Sequence, residues 1–140
     1  MLHPTSLPGA YGTGDFGDVS LHFIDWMVVA GQKFWQVLPL TPTGYGNSPY
    51  MGLSAFAGNA MLVGFEPLVA KGWLSDSDFA PAPDFPRGRV DYANVMPYRL
   101  ERLRRAANRF FARPKGSDLS DFEAFCREQR SWLDDFCLFQ

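Results

Sequence analysis

The fold is decided by residues 18–39, DVSLHFIDWMVVAGQKFWQVLP. In the first part of this stretch the apolar side chains recur at a spacing that draws one stripe along a helix, formed by Val19, Phe23, Trp26, Met27 and Ala30. Gly31 then supplies the left-handed residue that often ends a helix. Residues 34–38 are rich in β-forming side chains and are closed by Pro39, so they predict a strand with Phe34 and Trp35 in the core.

A further strand is predicted near the start of the chain. Residues 2–8 are bracketed by Pro4, Pro8 and Gly9, which suits the end of a strand that runs into a loop. A strand, a helix and a strand within about 40 residues form a βαβ unit with parallel strands and a right-handed crossover. Parallel sheets occur almost only when both faces are covered, so the chain is expected to be part of a larger α/β fold.

A long loop follows the second predicted strand. Residues 41–59, TPTGYGNSPYMGLSAFAGN, are too many and too rich in Gly and Pro for a simple connector, and loops of this length are usually functional. The loop is not a phosphate-binding loop, because no Gly-Lys-Ser/Thr follows Gly44-Tyr45-Gly46. No Asp or Glu lies between Gln32 and Phe65, so the loop offers hydroxyl and aromatic groups but no acid.

The remainder of the chain is expected to be mainly helical. A short helix is predicted within residues 67–74 and a long one over residues 94–112. The long helix is expected to face inward with Leu100, Leu103, Ala107, Phe110 and Phe111, while Arg99, Arg102, Arg105 and Arg109 form a solvated face.

A last helix is predicted to begin at Ser120 with a capping box. It should bury Phe122, Phe125, Cys126, Gln129, Trp132, Leu133 and Phe136. Its apolar end at residues 136–140 has no stop signal, which indicates a piece of a larger protein. Cys126 and Cys137 would lie about 16 Å apart along this helix, too far for a disulfide, so they are interpreted as buried thiols.

Composition excludes several classes of function. The 140 residues are 46% hydrophobic and 20% charged, which predicts a folded globular protein. A formal net charge of -2 gives no electrostatic surface for a polyanion, so nucleic acid is not expected as a partner. The sequence contains neither a signal peptide nor an apolar run of roughly 20 residues, so the expected location is cytoplasmic, without a membrane partner.

Six blocks of sequence resemble, in order and spacing, the opening of the amylomaltases. This is the disproportionating-enzyme family of 4-α-glucanotransferases, glycoside hydrolase family 77. The resemblance spans almost the whole chain and rests on LHPTSLPG (2–9), GDFG (14–17), WQVLPL (35–40), PTGYGNSPY (42–50), SAFAGN (54–59) and FEAFC with WLDD (122–126 and 132–135).

The resemblance implies a (β/α)₈ TIM barrel with helical insertions, in a retaining enzyme that transfers a segment of a 1,4-α-glucan to another glucan. Such barrels need about 250 residues, so about two barrel strands would be present here. Residues 1–60 would form the first βαβ unit with the glucan-binding loop 41–59, and residues 61–140 a mostly helical insertion. The implied partners are α-1,4-glucans such as maltooligosaccharides, starch and glycogen, and no metal or cofactor is implied.

The resemblance also implies which residues touch the substrate. Ser48 and Tyr50 match residues that line the sugar site next to the scissile bond, and Tyr45 matches an aromatic at a secondary glucan-binding position. The catalytic carboxylates of the family match no residue of this chain, and Asp18 is interpreted as a helix N-cap. Asn47 and Met51 stand where members usually carry Asp and Gln, which leaves the hydrogen bonding at the rim of the loop open.

The sequence leaves open two alternatives to the interpretation that the chain is part of a transferase. The chain could be a stand-alone α-glucan-binding module that uses Tyr45 and Tyr50 without catalysis, or an inactive truncated remnant. Sugar titration separates the first of these from the second.

Overall fold

Helices form almost all of the regular structure in this computed structural model, which describes residues 1–113 and 116–140. The α-helices are α1 (Asp18–Val29), α2 (Glu66–Ala70), α3 (Tyr92–Ala112), α4 (Asp118–Glu128) and α5 (Arg130–Phe139). Four short 3-10 turns cover Pro4–Ser6, Tyr45–Asn47, Ala60–Leu62 and Asp76–Phe79. The helices predicted over residues 18–30, 67–74 and 94–112 are therefore present, with shifted ends.

Helix α1 ends as the sequence predicts. Gly31 adopts a φ of 70°, and its amide donates to Val28 O at 3.0 Å while the amide of Gln32 donates to Met27 O at 2.8 Å. These two bonds form a Schellman motif, which satisfies the last carbonyl groups of the helix. The prediction for its start was wrong, because Gly17 is the N-cap and Asp18 is the first helical residue.

Neither predicted strand is present among the described residues. Residues 4–6 form a 3-10 turn because Pro4, with its fixed φ, occupies the first turn and offers no N–H to a ladder. Residues 34–38 do lie beside the N-terminal segment: the amide of Leu2 donates to Gln36 O at 3.1 Å, and Trp35 Nε1 donates to Leu2 O at 2.7 Å. One backbone hydrogen bond is too few for a β-ladder.

The core lies between α2 and α3 and is aromatic. Phe65, Leu74, Tyr98 and Ala106 are buried together, and Tyr11 packs onto them from the N-terminal segment. The Tyr11 ring stacks on Phe79 at a centroid distance of 4.7 Å and tilts against Phe65 at 5.1 Å. This cluster ties the start of the chain to the helices that follow the long loop.

The inward face of α3 was predicted only in part: Leu103 packs against the core, and Arg105 and Arg109 are exposed as expected. Arg99 and Arg102 are buried, whereas Leu100 and Phe111 are exposed. The guanidinium of Arg102 stays buried because it donates to the carbonyl groups of Asp78, Tyr98 and Pro81 at 3.1–3.2 Å. Helical periodicity predicts a solvent-exposed arginine at this position, but here carbonyl groups of α3 itself and of residues 78–81 accept hydrogen bonds from the charged side chain.

The C-terminal part also differs from its prediction. Two helices, α4 and α5, replace the single one and meet at Gln129. The predicted capping box does not form, since α4 begins two residues before Ser120, and neither helix has a buried residue.

Other expected core residues lie at the surface. Phe34 is 89% exposed and Trp35 is half-buried, so only Trp35 has a partly core-like environment. Cys126 is half-buried and Cys137 is exposed; both are free thiols on separate helices rather than buried thiols on one.

Candidate functional site

Loop 41–59 is closed at its base by backbone hydrogen bonds. The amide of Asn59 donates to Leu40 O at 3.1 Å, which brings the two ends of the loop together. Further out, the amide of Leu53 donates to Pro42 O at 3.0 Å, and Thr43 forms an isolated antiparallel bridge with Gly52. The loop is thus a narrow hairpin-like projection with a defined base.

The tip of the projection is the 3-10 turn Tyr45–Asn47. Gly46 and Asn47 adopt positive φ angles of 69° and 56°. Glycine and asparagine are the residues that tolerate this conformation best, so Asn47 is compatible with the turn. The turn leaves Tyr45 92% exposed.

The second tyrosine lies on the returning arm. Ser48 Oγ accepts a hydrogen bond from the amide of Tyr50 at 3.3 Å, and the amide of Met51 donates to Ser48 O at 3.2 Å. Ser48 therefore shapes a turn through its own side chain, while the ring of Tyr50 points to solvent and is 73% exposed. Of the three predicted binding residues, two present aromatic rings and Ser48 has a structural hydrogen bond.

A contact that the sequence reasoning missed joins this loop to α5. The ring of Phe56 stacks on Trp132, with centroids 5.9 Å apart and planes at 21°. The only sequence signal was that each of these residues falls within a block of the family resemblance. Ser54 Oγ holds the turn beneath Phe56 by accepting from the amides of Phe56 and Ala57 at 3.1 and 3.0 Å.

The buried carboxylate of Asp78 and the half-buried carboxylate of Asp15 are engaged in structural contacts. Asp15 accepts from Arg99 Nη2 at 2.8 Å and from the amide of Gly17 at 2.8 Å. Asp78 accepts from Arg109 Nη1 and Nη2 at 2.5 and 2.8 Å and from both the amide and the hydroxyl of Ser75.

These contacts control the ionisation of Asp78. The hydrogen bonds from Arg109 hold the pKa of the Asp78 carboxyl well below its usual range, against the opposing effect of burial, and those from Ser75 add to the lowering. A carboxyl that stays ionised and fully engaged is suited to stabilising the fold, not to exchanging protons with a substrate.

A cavity of about 940 Å³ lies next to the N-terminal segment. Residues 5–13 form one wall and residues 82–90 form the other, with Thr5, Thr13, Phe85 and Arg87 among the lining side chains. It borders the loop that follows Ser6.

Within residues 1–113 and 116–140, no three His, Cys, Asp or Glu side chains cluster as metal ligands would. In the same ranges, every helix is too short or too polar to cross a bilayer.

Sequence comparison relates the chain to one family of enzymes. The family model for 4-alpha-glucanotransferase matches residues 2–140. The 4-alpha-glucanotransferase of Thermus thermophilus is 42% identical over 139 residues, which are 99% of this chain and 27% of that protein. The chloroplastic/amyloplastic enzyme of Solanum tuberosum is 40% identical over 145 residues, covering 99% of this chain and 25% of that protein.

Structural comparison leads to the same family. Amylomaltase from Streptococcus agalactiae in complex with acarbose superposes with a TM-score of 0.87 and 38% identity, covering 96% of this chain and 27% of that one. The chain thus spans about a quarter of the length of the relatives it matches. The predicted family resemblance is confirmed: this chain belongs to the 4-alpha-glucanotransferase family.

Proposed function

We propose that this chain supplies an α-1,4-glucan-binding loop of a 4-α-glucanotransferase, with Tyr50, Ser48 and Tyr45 as sugar-contacting residues. The observation that carries the proposal is the pair of exposed tyrosine rings on one hydrogen-bonded projection. An aromatic face exposed to this degree stacks well on the apolar face of a pyranose ring. The complex of a relative with acarbose supports a carbohydrate as the ligand.

The chemistry of the whole enzyme would require residues that this chain does not supply. Retaining transfer needs a nucleophile and a general acid/base, two carboxylates about 5 to 5.5 Å apart. Loop 41–59 contains no acid, and Asp15 and Asp78 are engaged with arginines. We therefore propose that the catalytic carboxylates belong to other parts of the family's fold and that the 140-residue chain is inactive.

The architecture implied by the family is part of the same proposal. Residues 1–60 would correspond to the beginning of a TIM barrel with loop 41–59, and residues 61–140 to a helical insertion. The close superposition on an amylomaltase supports this assignment. A cytoplasmic location also stays a proposal, since the potato relative is by its name chloroplastic or amyloplastic.

The absence of activity can be tested directly. A purified sample of the chain incubated with maltotriose should release no glucose, because the proposal assigns both carboxylates of the double displacement to other parts of the family's fold. A coupled glucose assay measures this. Sustained turnover by a sample free of contaminating enzymes would contradict the proposal.

Sugar binding depends most strongly on Tyr50 in this proposal. Tyr50→Ala should weaken the binding of maltoheptaose about tenfold, which corresponds to ~1.4 kcal/mol, because the stacked ring surface is lost. Isothermal titration calorimetry on the wild-type chain and the variant measures the two dissociation constants.

The matched control is Phe34→Ala, which removes an aromatic ring that is 89% exposed and lies outside the loop. It should leave the affinity unchanged. The role of Tyr50 would be contradicted if Tyr50→Ala bound maltoheptaose as tightly as the wild-type chain. It would also be contradicted if Tyr50→Ala and Phe34→Ala lost the same amount of affinity.

A further inference from the structure

The stack of Phe56 on Trp132 joins two parts of the chain that are 76 positions apart. Phe56 is 72% exposed, and the Trp132 ring is the aromatic group described in contact with it. The near-parallel planes, 21° apart at a centroid distance of 5.9 Å, form a defined contact rather than an incidental approach. This contact attaches the basal part of the returning arm of loop 41–59 to helix α5.

Both partners of the stack are themselves held in place. The Phe56 backbone belongs to the turn that Ser54 Oγ fixes with two hydrogen bonds, and the adjacent Ala57 is buried. On the other side, Trp132 Nε1 donates to Gln129 Oε1 at 2.8 Å, and the Trp132 ring packs against Phe136. A displacement of either ring would therefore move the element that carries it.

The backbone contacts described for the loop are local to it. They are the hydrogen bonds from Asn59 to Leu40 and from Leu53 to Pro42, together with the bridge between Thr43 and Gly52. All of these join the two arms of the loop to each other or to the residue that precedes it. The stack on Trp132 instead attaches the loop to a separate helix, which limits its swing as a whole.

We propose that Trp132 is a positioning residue that braces loop 41–59 through Phe56 and so holds Tyr50 in its sugar-binding position. The inference rests on the proposed function of the loop. A loop ordered before the ligand arrives loses less conformational entropy on binding. Trp132 would thus raise affinity without touching the sugar.

Two measurements test the brace. Hydrogen–deuterium exchange of the amides of residues 51–57 should be severalfold faster in Trp132→Ala than in the wild-type chain, because the loop opens more often. The dissociation constant for maltoheptaose should rise about three- to tenfold in the same variant. Trp132→Phe, which keeps a stacking ring, should restore both values.

Two further variants control for indirect effects. Leu138→Ala removes an apolar side chain that is 88% exposed on the same helix and should change neither quantity. Phe56→Ala removes the contact from the side of the loop and should reproduce the effects of Trp132→Ala, even if the latter disturbs α5.

The outcomes separate the brace from the binding function. Unchanged exchange at residues 51–57 in both Trp132→Ala and Phe56→Ala would overturn the brace. Faster exchange with unchanged affinity would overturn its positioning role. A wild-type chain that does not bind maltoheptaose would refute the proposed function, and with it the role of Trp132 in affinity, while the exchange data would still decide whether the brace exists.

Discussion

Arg99→Met is expected to lower the free energy of unfolding by about 3–5 kcal/mol, the usual cost of removing one partner of a buried ion pair. The side chain of Arg99 is 0% exposed, and its Nη2 donates to Asp15 Oδ2 at 2.8 Å and to Val63 O at 2.6 Å. Its guanidinium also lies 4.4 Å from the centre of the Phe65 ring. The variant leaves a half-buried carboxylate and a carbonyl group without these donors, and urea denaturation followed by circular dichroism measures the loss.

Arg104→Met is the matched control for Arg99→Met, because Arg104 lies on the same helix with an exposed side chain paired to Glu101. Such exposed pairs contribute little, so its effect should stay within about 0.5 kcal/mol. The double variant Arg99→Met with Asp15→Asn should lose less than the sum of the two single losses, since no unpaired charge remains. A loss below 1 kcal/mol in Arg99→Met would show that the pair does not stabilise the fold.

Asp78→Asn is expected to cost about 2–4 kcal/mol at pH 7. The carboxylate side chain is only 5% exposed and receives charged hydrogen bonds from both terminal nitrogens of Arg109, as well as two from Ser75. Hydrogen bonds to charged groups are the stronger class, and an amide can replace only part of them. Thermal unfolding and urea denaturation would both register the change.

The loss in Asp78→Asn should also depend on pH. The pKa of Asp78 lies below its unfolded value, chiefly because of the hydrogen bonds from Arg109. The pKa of an unfolded aspartate lies near 4. The contribution of Asp78 to stability is therefore fully present at pH values well above 4, and it is lost as the pH falls below 4 towards the folded pKa.

The difference between the wild-type chain and Asp78→Asn should accordingly be largest above about pH 5 and shrink in more acidic solution. The control is Asp76→Asn, which changes an exposed carboxyl in the same 3-10 turn and should change little at any of these pH values. A constant difference between pH 3 and pH 7 would contradict this account of the Asp78 carboxylate.

Helices α1 and α3 could be predicted because their signals are local. The apolar spacing of α1 and the left-handed Gly31 need only neighbouring residues to take effect. The inward face of α3 could not be predicted in this way. Arg99 and Arg102 are buried because Asp15, Val63, Asp78 and Pro81, all distant in sequence, supply their acceptors.

The candidate site likewise has features that the sequence predicts and features that it does not. The sequence showed that the site contains aromatic and hydroxyl residues and that no acid lies between Gln32 and Phe65. It did not predict that Tyr45 and Tyr50 are exposed or that Phe56 stacks on Trp132. Whether a ring lies in a core or faces solvent depends on what the rest of the chain places beside it, and composition carries no such information.

The amino-acid sequence was sufficient to identify the family, to locate helices α1 and α3 approximately and to single out the loop that carries the candidate sugar-binding residues. Those features follow from residue order and short-range periodicity. The three-dimensional structure was needed to show that residues 2–8 and 34–38 form no strand ladder and that two arginines of α3 are buried. It also decided that α5 contacts the loop. Each of these depends on hydrogen-bond partners or packing surfaces from distant residues, which local patterns do not encode.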